Sequence, residues 1–395
     1  MIYLAVLVSL LQGISMRGAK FLVSLSALAE GATPFQVGVL AAVFAALPLL
    51  LAVYAGKVSD RIGVKRPLLA GAAVISAGIA LPLAVPGISG LVACAALVGL
   101  GHIFFHVSIH NLIGAYGEGA ARTSNFATFS LGASIAAFIG PSLGGISIDH
   151  LGFPATHALL AAVALSPAVV LLAYPRLVPA RAPHPKAEAA GGSLAMLRDP
   201  GLRRTLLMSG MAITGIELFT FYFPVYGRSV GLTASAIGMV MSSYAVAAFI
   251  VRLGMSRATR RLGEIGVLTA SLFMAGLTYL LVPLVSQAPL LAVIAFLLGI
   301  GLGCAQPLTI ILTYNHAPAG RSGEALGMRL TVNKLTQIAV PLAFGAMGTA
   351  FGLVPVFWAN AALLIGGGFL SLAESRMTAA RDAAAAVAEQ QEEDT

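Results

Sequence analysis

The sequence predicts an all-α membrane protein with twelve transmembrane helices in two pseudo-symmetric six-helix halves. Three observations predict it. Hydrophobic residues make up 58% of the 395 positions and charged residues only 10%, against about 25% charged in an ordinary soluble domain. The apolar residues gather in runs long enough for a bilayer core, which takes about 20 residues per helix. The chain also matches itself at an offset of about 200 residues. A mean hydropathy of +0.93 leaves too little polar surface for a soluble enzyme or a nucleic-acid-binding domain. A β-barrel would show short alternating segments instead.

The first six runs lie near 2–28, 34–56, 67–86, 89–115, 123–147 and 154–174. The second six lie near 203–227, 233–256, 264–285, 288–314, 323–349 and 353–373. Residues 1–174 and 203–374 are thus the two expected halves. The Pro/Ala-rich stretch 175–202 is the expected cytoplasmic linker, and 375–395 an Ala-rich cytoplasmic tail. Met1 is followed at once by apolar residues, so no cleavable signal peptide is expected.

The halves align through Gly38 and Gly238, Arg61 and Arg261, Gly63 and Gly263, Gly99 and Gly299, and Gly101 and Gly301. Arg122 meets Arg321 with one residue of slip. Parallel six-helix repeats are a transporter layout, with a solute site between the halves near the midplane.

Basic residues set the orientation. Of the 23 Lys and Arg, eighteen fall at loops, helix ends or the tail on one side of the bilayer, and only Arg228 on the other. Both termini are therefore expected in the cytoplasm, in a bacterial-type inner membrane. The net charge of +8 follows from this topology and calls for no nucleic acid. Cys94 and Cys304 lie singly in apolar runs and imply neither a disulfide nor a metal site.

The loop after the second run reads Gly56-Lys-Val-Ser-Asp60-Arg61-Ile-Gly63-Val-Lys65-Arg66. It resembles the signature of the major facilitator superfamily between helices 2 and 3, G-x-x-x-D-R-x-G-x-[RK]-[RK]. The resemblance implies a gating role for Gly56, Asp60, Arg61, Gly63, Lys65 and Arg66, joined by Arg122, in a charge network that holds one side closed. The glycines are expected to allow a tight turn and close helix approach. The fifth run carries Gly140-Pro141-Ser-Leu-Gly144-Gly145, similar to the helix-5 motif of the family's exporters and antiporters. Drug exporters of the superfamily usually carry an Arg in helix 4 where this chain has Ala95, and the frequent helix-1 acid is absent. The resemblance covers nearly the whole chain but does not carry over those proton-coupling residues.

Ionisable residues deep in a span cost about 2.5–3.5 kcal/mol each on insertion scales and need a polar cavity or a partner. Arg17 and Lys20 share one face of the first helix, and Ser24 continues that face. His102, His106 and His110 form a stripe on the fourth helix. Arg329, Asn333 and Gln337 repeat the spacing on the eleventh, beside Lys334. Glu217 is the single deep acid, and Gln306 stands at the repeat position of His106. In the superfamily helices 1, 4, 7 and 10 line the cavity, with contributions from 5, 8 and 11. The resemblance thus implies that these polar stripes face it. Four cations against one carboxylate suit an anion, which Arg grips bidentately and Lys as a point charge.

The expected function is secondary active transport of a small solute, an organic or phosphorylated anion, with proton coupling or exchange. The alternative is a proton-driven efflux pump for drugs or hydrophobic compounds. No enzyme is expected, since no Ser/His or Asp pair stands at useful spacing, and the absence of a phosphate-binding loop G-x-x-x-x-G-K-[ST] implies that ATP does not drive transport directly. No cofactor or metal is called for. The expected partners are the solute, the lipid bilayer and protons, with the protein acting as a monomer.

Overall fold

A computed structural model describes residues 2–114, 116, 119–174, 193–318 and 321–393. The described residues are nearly all helical. The helices are α1 (Ile2–Ala29), α2 (Pro34–Ile62), α3 (Lys65–Ala80), α4 (Ile88–Gly114), α5 (119–151), α6 (153–173), α7 (Pro200–Ser229), α8 (234–262), α9 (264–281), α10 (Ala288–Asn315), α11 (Ser322–Phe351) and α12 (Leu353–Glu393). Among the described residues nine stretches are long and apolar enough to cross a membrane. Two of these hold a pair of rods each, joined at Gly152 (φ 81°) and Gly263 (φ 71°). A side chain resists that left-handed backbone, so glycine lets one rod end and the next begin without a loop. The twelfth rod, α11, carries too many polar residues to stand out by hydropathy. Of the expected linker, only residues from 193 onward are described: a 3₁₀ turn, Ser193–Arg198, leads into α7. Helix α12 runs on to Glu393, through the segment read as tail; its alanines are the strongest helix formers.

The repeat is visible in the backbone. Three pairs of left-handed glycines recur at the same offset: Gly31 and Gly231, Gly63 and Gly263, Gly152 and Gly352. Thr33 and Thr233 cap α2 and α8 in the same way, each side chain accepting a backbone N–H from the first turn.

Lipid offers no hydrophobic drive between helices, so small residues and interhelical hydrogen bonds hold the bundle together. A Cβ on Gly13 would stand 2.8 Å from the Ala136 Cβ, and one on Gly140 2.8 Å from the Arg17 Cβ, so α1 and α5 pack almost backbone to backbone. In the second half the Ser209 hydroxyl donates to Asn333 Oδ1 (2.9 Å), and the Thr214 hydroxyl to Asn360 Oδ1 (2.7 Å). These bonds tie α7 to α11 and α12.

Candidate substrate cavity

A cavity of about 420 Å³ lies between the halves. Its walls come from α1, α2, α4 and α5 on one side and α7, α8, α10 and α11 on the other. Arg17, Lys20, His102, His106, Glu217, Gln306, Lys334 and Gln337 all line it. Eight residues singled out in the sequence thus meet in one space.

Their charges are handled unequally. The Lys20 ammonium stands 4.0 Å from the Glu217 carboxylate and 5.1 Å from the centre of the Phe221 ring. This pair joins α1 to α7 across the halves, and Glu217 is itself buried. Lys334 donates to Gln337 Oε1 at 2.8 Å, a neutral acceptor one turn along. Arg17 is exposed to the cavity and meets no hydrogen-bond acceptor or carboxylate among the described residues. The lining therefore holds three cations and one carboxylate, with a guanidinium fork left open. Such a fork is shaped for a carboxylate or a phosphate.

Three residues expected in the site are engaged elsewhere. Arg329 is buried (3% exposed), and its guanidinium donates to the Thr309 hydroxyl (3.1 Å) and to the Gln306 side-chain oxygen (3.1 Å). It also reaches the Gln306 carbonyl at 3.3 Å, so it braces α11 against α10. Asn333 accepts from Ser209 as described above. The His110 ring donates through Nδ1 to the carbonyl of His106 (2.7 Å) and lies outside the lining. The imidazole stripe itself is continuous, with ring centres 5.1 Å apart for His102–His106 and 4.2 Å for His106–His110. Only its first two members reach the cavity. Spacing along one helix does not reveal where the cavity stops.

Sequence reasoning missed the phenylalanines of the cavity wall. Phe21, Phe44, Phe105, Phe129 and Phe219 line the cavity, together with Tyr244. Tyr244 stacks on Phe219 with centroids 4.8 Å apart. Phenylalanine is common in any membrane helix, so no local signal marked these five. Arg252 is drawn inward: its Nε donates to the Gly303 carbonyl at 2.9 Å.

The two family motifs occupy distinct places. Gly63 ends α2 with φ 78°, and Asp60, Arg61 and Arg66 are exposed beside that turn, with Lys65 half-buried. The close approach expected at Gly56 is absent in this state, since a Cβ there would meet nothing within 4 Å. The side chain of Arg122 lies outside the described residues. In the helix-5 motif a Cβ on Gly144 would stand 3.0 Å from the Phe21 ring, and one on Gly145 2.3 Å from the Ala234 carbonyl. The motif thus presses α5 against α1 on one face and α8 on another.

Comparison with known proteins places this architecture. The family model described as Major Facilitator Superfamily matches residues 5–233 and 205–391. The chain belongs to that superfamily. It is a membrane transporter, not an enzyme, and its solute binds within the membrane. Among curated relatives, the multidrug efflux pump LfrA of Mycolicibacterium smegmatis is 26% identical over 385 residues, covering 80% of this chain and 76% of LfrA. The 4-hydroxybenzoate transporter PcaK of Pseudomonas aeruginosa is 29% identical over 147 residues, 37% of this chain and 32% of PcaK. Among solved structures, a peptide transporter POT in complex with sulfate superposes with a TM-score of 0.79 at 16% identity, covering 95% of this chain and 94% of that one. The nucleoside transporter NupG gives 0.78 at 13% identity, with 94% and 99% covered. These likenesses establish the fold.

Proposed function

We propose that this transporter moves an organic anion with an apolar, preferably aromatic body, by alternating access and with proton coupling. The observation that carries this reading is the unmet Arg17 guanidinium among three cavity cations and one carboxylate. Lys20 and Lys334 add point charges to the same cavity. The Phe wall supports a ring-bearing anion over a sugar phosphate, which would leave those faces idle. PcaK, named for an aromatic carboxylate, points the same way. His102 and His106 are the proton-handling candidates, and Glu217 releases Lys20 as the anion enters. Asp60, Arg61 and the residues around them form the gate at the opposite end. We place the protein in a bacterial inner membrane, with both termini in the cytoplasm, on the distribution of its basic residues.

The second reading is efflux of hydrophobic compounds. It is supported by the relationship to LfrA and by the apolar share of the lining. A thermal-unfolding screen of the purified protein separates the two. Benzoate-type carboxylates, sugar phosphates and lipophilic cations are compared, since a ligand of the folded state raises its stability by mass action. Stabilisation by aromatic carboxylates, lost in Arg17→Gln, supports the anion reading. Stabilisation by lipophilic cations alone replaces it with efflux.

A further inference from the structure

Helices α2 and α8 begin at the end of the molecule away from the basic loops, and each packs there against a helix of the opposite half. A Cβ on Gly238 would stand 2.5 Å from the Pro141 carbonyl, and one on Gly38 2.3 Å from the Pro341 carbonyl. A Cβ on Gly145 would meet the Ala234 carbonyl, and one on Gly345 the Pro34 carbonyl (2.9 Å). The α5–α8 and α2–α11 seams are therefore copies of one contact at the repeat offset, and together they close this end.

The first turn of a helix leaves backbone N–H groups without intrahelical partners. In α8 the Thr233 hydroxyl accepts from the N–H of Ala236 (3.2 Å). The two remaining donors cross the seam: Ala234 N–H reaches Asp149 Oδ1 at 3.1 Å, and Ser235 N–H reaches Oδ2 at 2.7 Å. In α2 the Thr33 hydroxyl accepts from the N–H of Gln36 (3.4 Å). Pro34 has no N–H, so a single donor is left, and Phe35 N–H meets the Thr349 hydroxyl at 3.0 Å. Residues 149 and 349 are repeat partners. Two donors face a bidentate carboxylate, and one donor faces a hydroxyl.

We propose that Asp149 and Thr349 are paired positioning residues of the transport cycle, each capping a helix of the opposite half and thereby holding this end closed. Parting the halves strips both helices of these caps. The Asp149 cap is the stronger of the two, because it accepts two backbone N–H groups and sets a negative charge at the positive end of α8. This inference is independent of which solute the cavity takes.

The test is the distance between spin labels at Leu151 and Arg228, exposed on opposite halves near this end, measured by double electron–electron resonance on the full-length protein in lipid nanodiscs. Cys94 and Cys304, both buried, are replaced by alanine. Asp149→Ala is expected to shift the closed-to-open ratio about tenfold towards open, the size of a lost charged helix cap. Thr349→Val is expected to shift it about threefold, for one neutral bond. The decisive pair changes α8 itself. Ala234→Pro removes one donor and sets the proline ring against Asp149, so it opens this end. Proline is favoured at the first helical position, and Thr233 already has the extended backbone (φ −69°, ψ 160°) that a following proline requires. Adding Asp149→Thr rebuilds the Pro34–Thr349 arrangement and is expected to restore most of the closed population. These two variants carry the test if Asp149→Ala fails to fold. A ratio within about twofold of wild type in Asp149→Ala, with or without a lower Tm, marks a purely structural cap and overturns the proposal. So does a double variant as open as Ala234→Pro alone.

Discussion

Arg17 and Arg329 are both deep arginines, and the fold treats them in opposite ways. Arg17 stands on α1 with its guanidinium open to the cavity and no protein partner among the described residues. Arg329 stands on α11, buried, with Nε and Nη2 bonded to Thr309 and Gln306 of α10. In the sequence both are basic residues in an apolar run, each with a lysine a few positions on. One opens onto the cavity, and the other stiffens the wall beside Gln306. A deep charge thus signals that something polar must meet it, and the partner decides whether the role is recognition or bracing.

The contrast can be broken experimentally, and the largest effect is expected at Arg17. Arg17→Gln should lower the transport rate for the stabilising anion about 100-fold, as for the loss of a charge-assisted bidentate contact. The Tm of the empty protein should stay within a few degrees of wild type, and both are read on the same preparation in proteoliposomes and by thermal unfolding. Arg329→Met should do the reverse, with about 2–3 kcal/mol lost from the empty protein as Thr309 and Gln306 lose their partner in the interior. If Arg329→Met instead abolished the anion response at unchanged Tm, the two arginines would share one role and the comparison would collapse.

Smaller changes sharpen it. Glu217→Gln removes the carboxylate that restrains Lys20, and anion binding should tighten about fivefold by titration calorimetry, within the range of one hydrogen bond to a charged group. Weaker anion binding would show that Glu217 itself orients the solute. Gln337→Ala frees the Lys334 ammonium from its neutral acceptor. Because that bond is neutral on one side and half-buried, a change in Kd of no more than about twofold is expected. A larger one would make Gln337 a direct contact.

Much of the site was legible because polarity is conspicuous in a membrane span. Arg17, Lys20, Glu217 and Lys334 stood out, and the fold brings them to one cavity. Its Phe wall was illegible, because Phe21 or Phe219 carries no mark that separates a cavity face from a lipid face. His110 and Asn333 share the helical spacing of residues that do reach the cavity, and spacing alone could not exclude them. The seam residues Asp149 and Thr349 escaped notice for another reason. They are unlike in chemistry, so the repeat hides them until the backbone N–H groups they cap are located.

What the sequence determined by itself is the membrane class, the twofold repeat and the family. The first follows from composition and from the need of every backbone polar group in lipid to bond within its own helix, and the other two from residues that match at fixed spacing. What only the tertiary structure decided is which polar groups meet. Helix packing turns α1 and α11 so that Arg17 faces a void and Arg329 faces Thr309, and it sets the carboxylate of Asp149 against the free donors of α8. Those are contacts between residues far apart in the chain, and they depend on the rotation of each helix about its own axis. Small residues set that rotation by permitting or refusing close approach, a property of the surfaces in contact and not of either sequence alone.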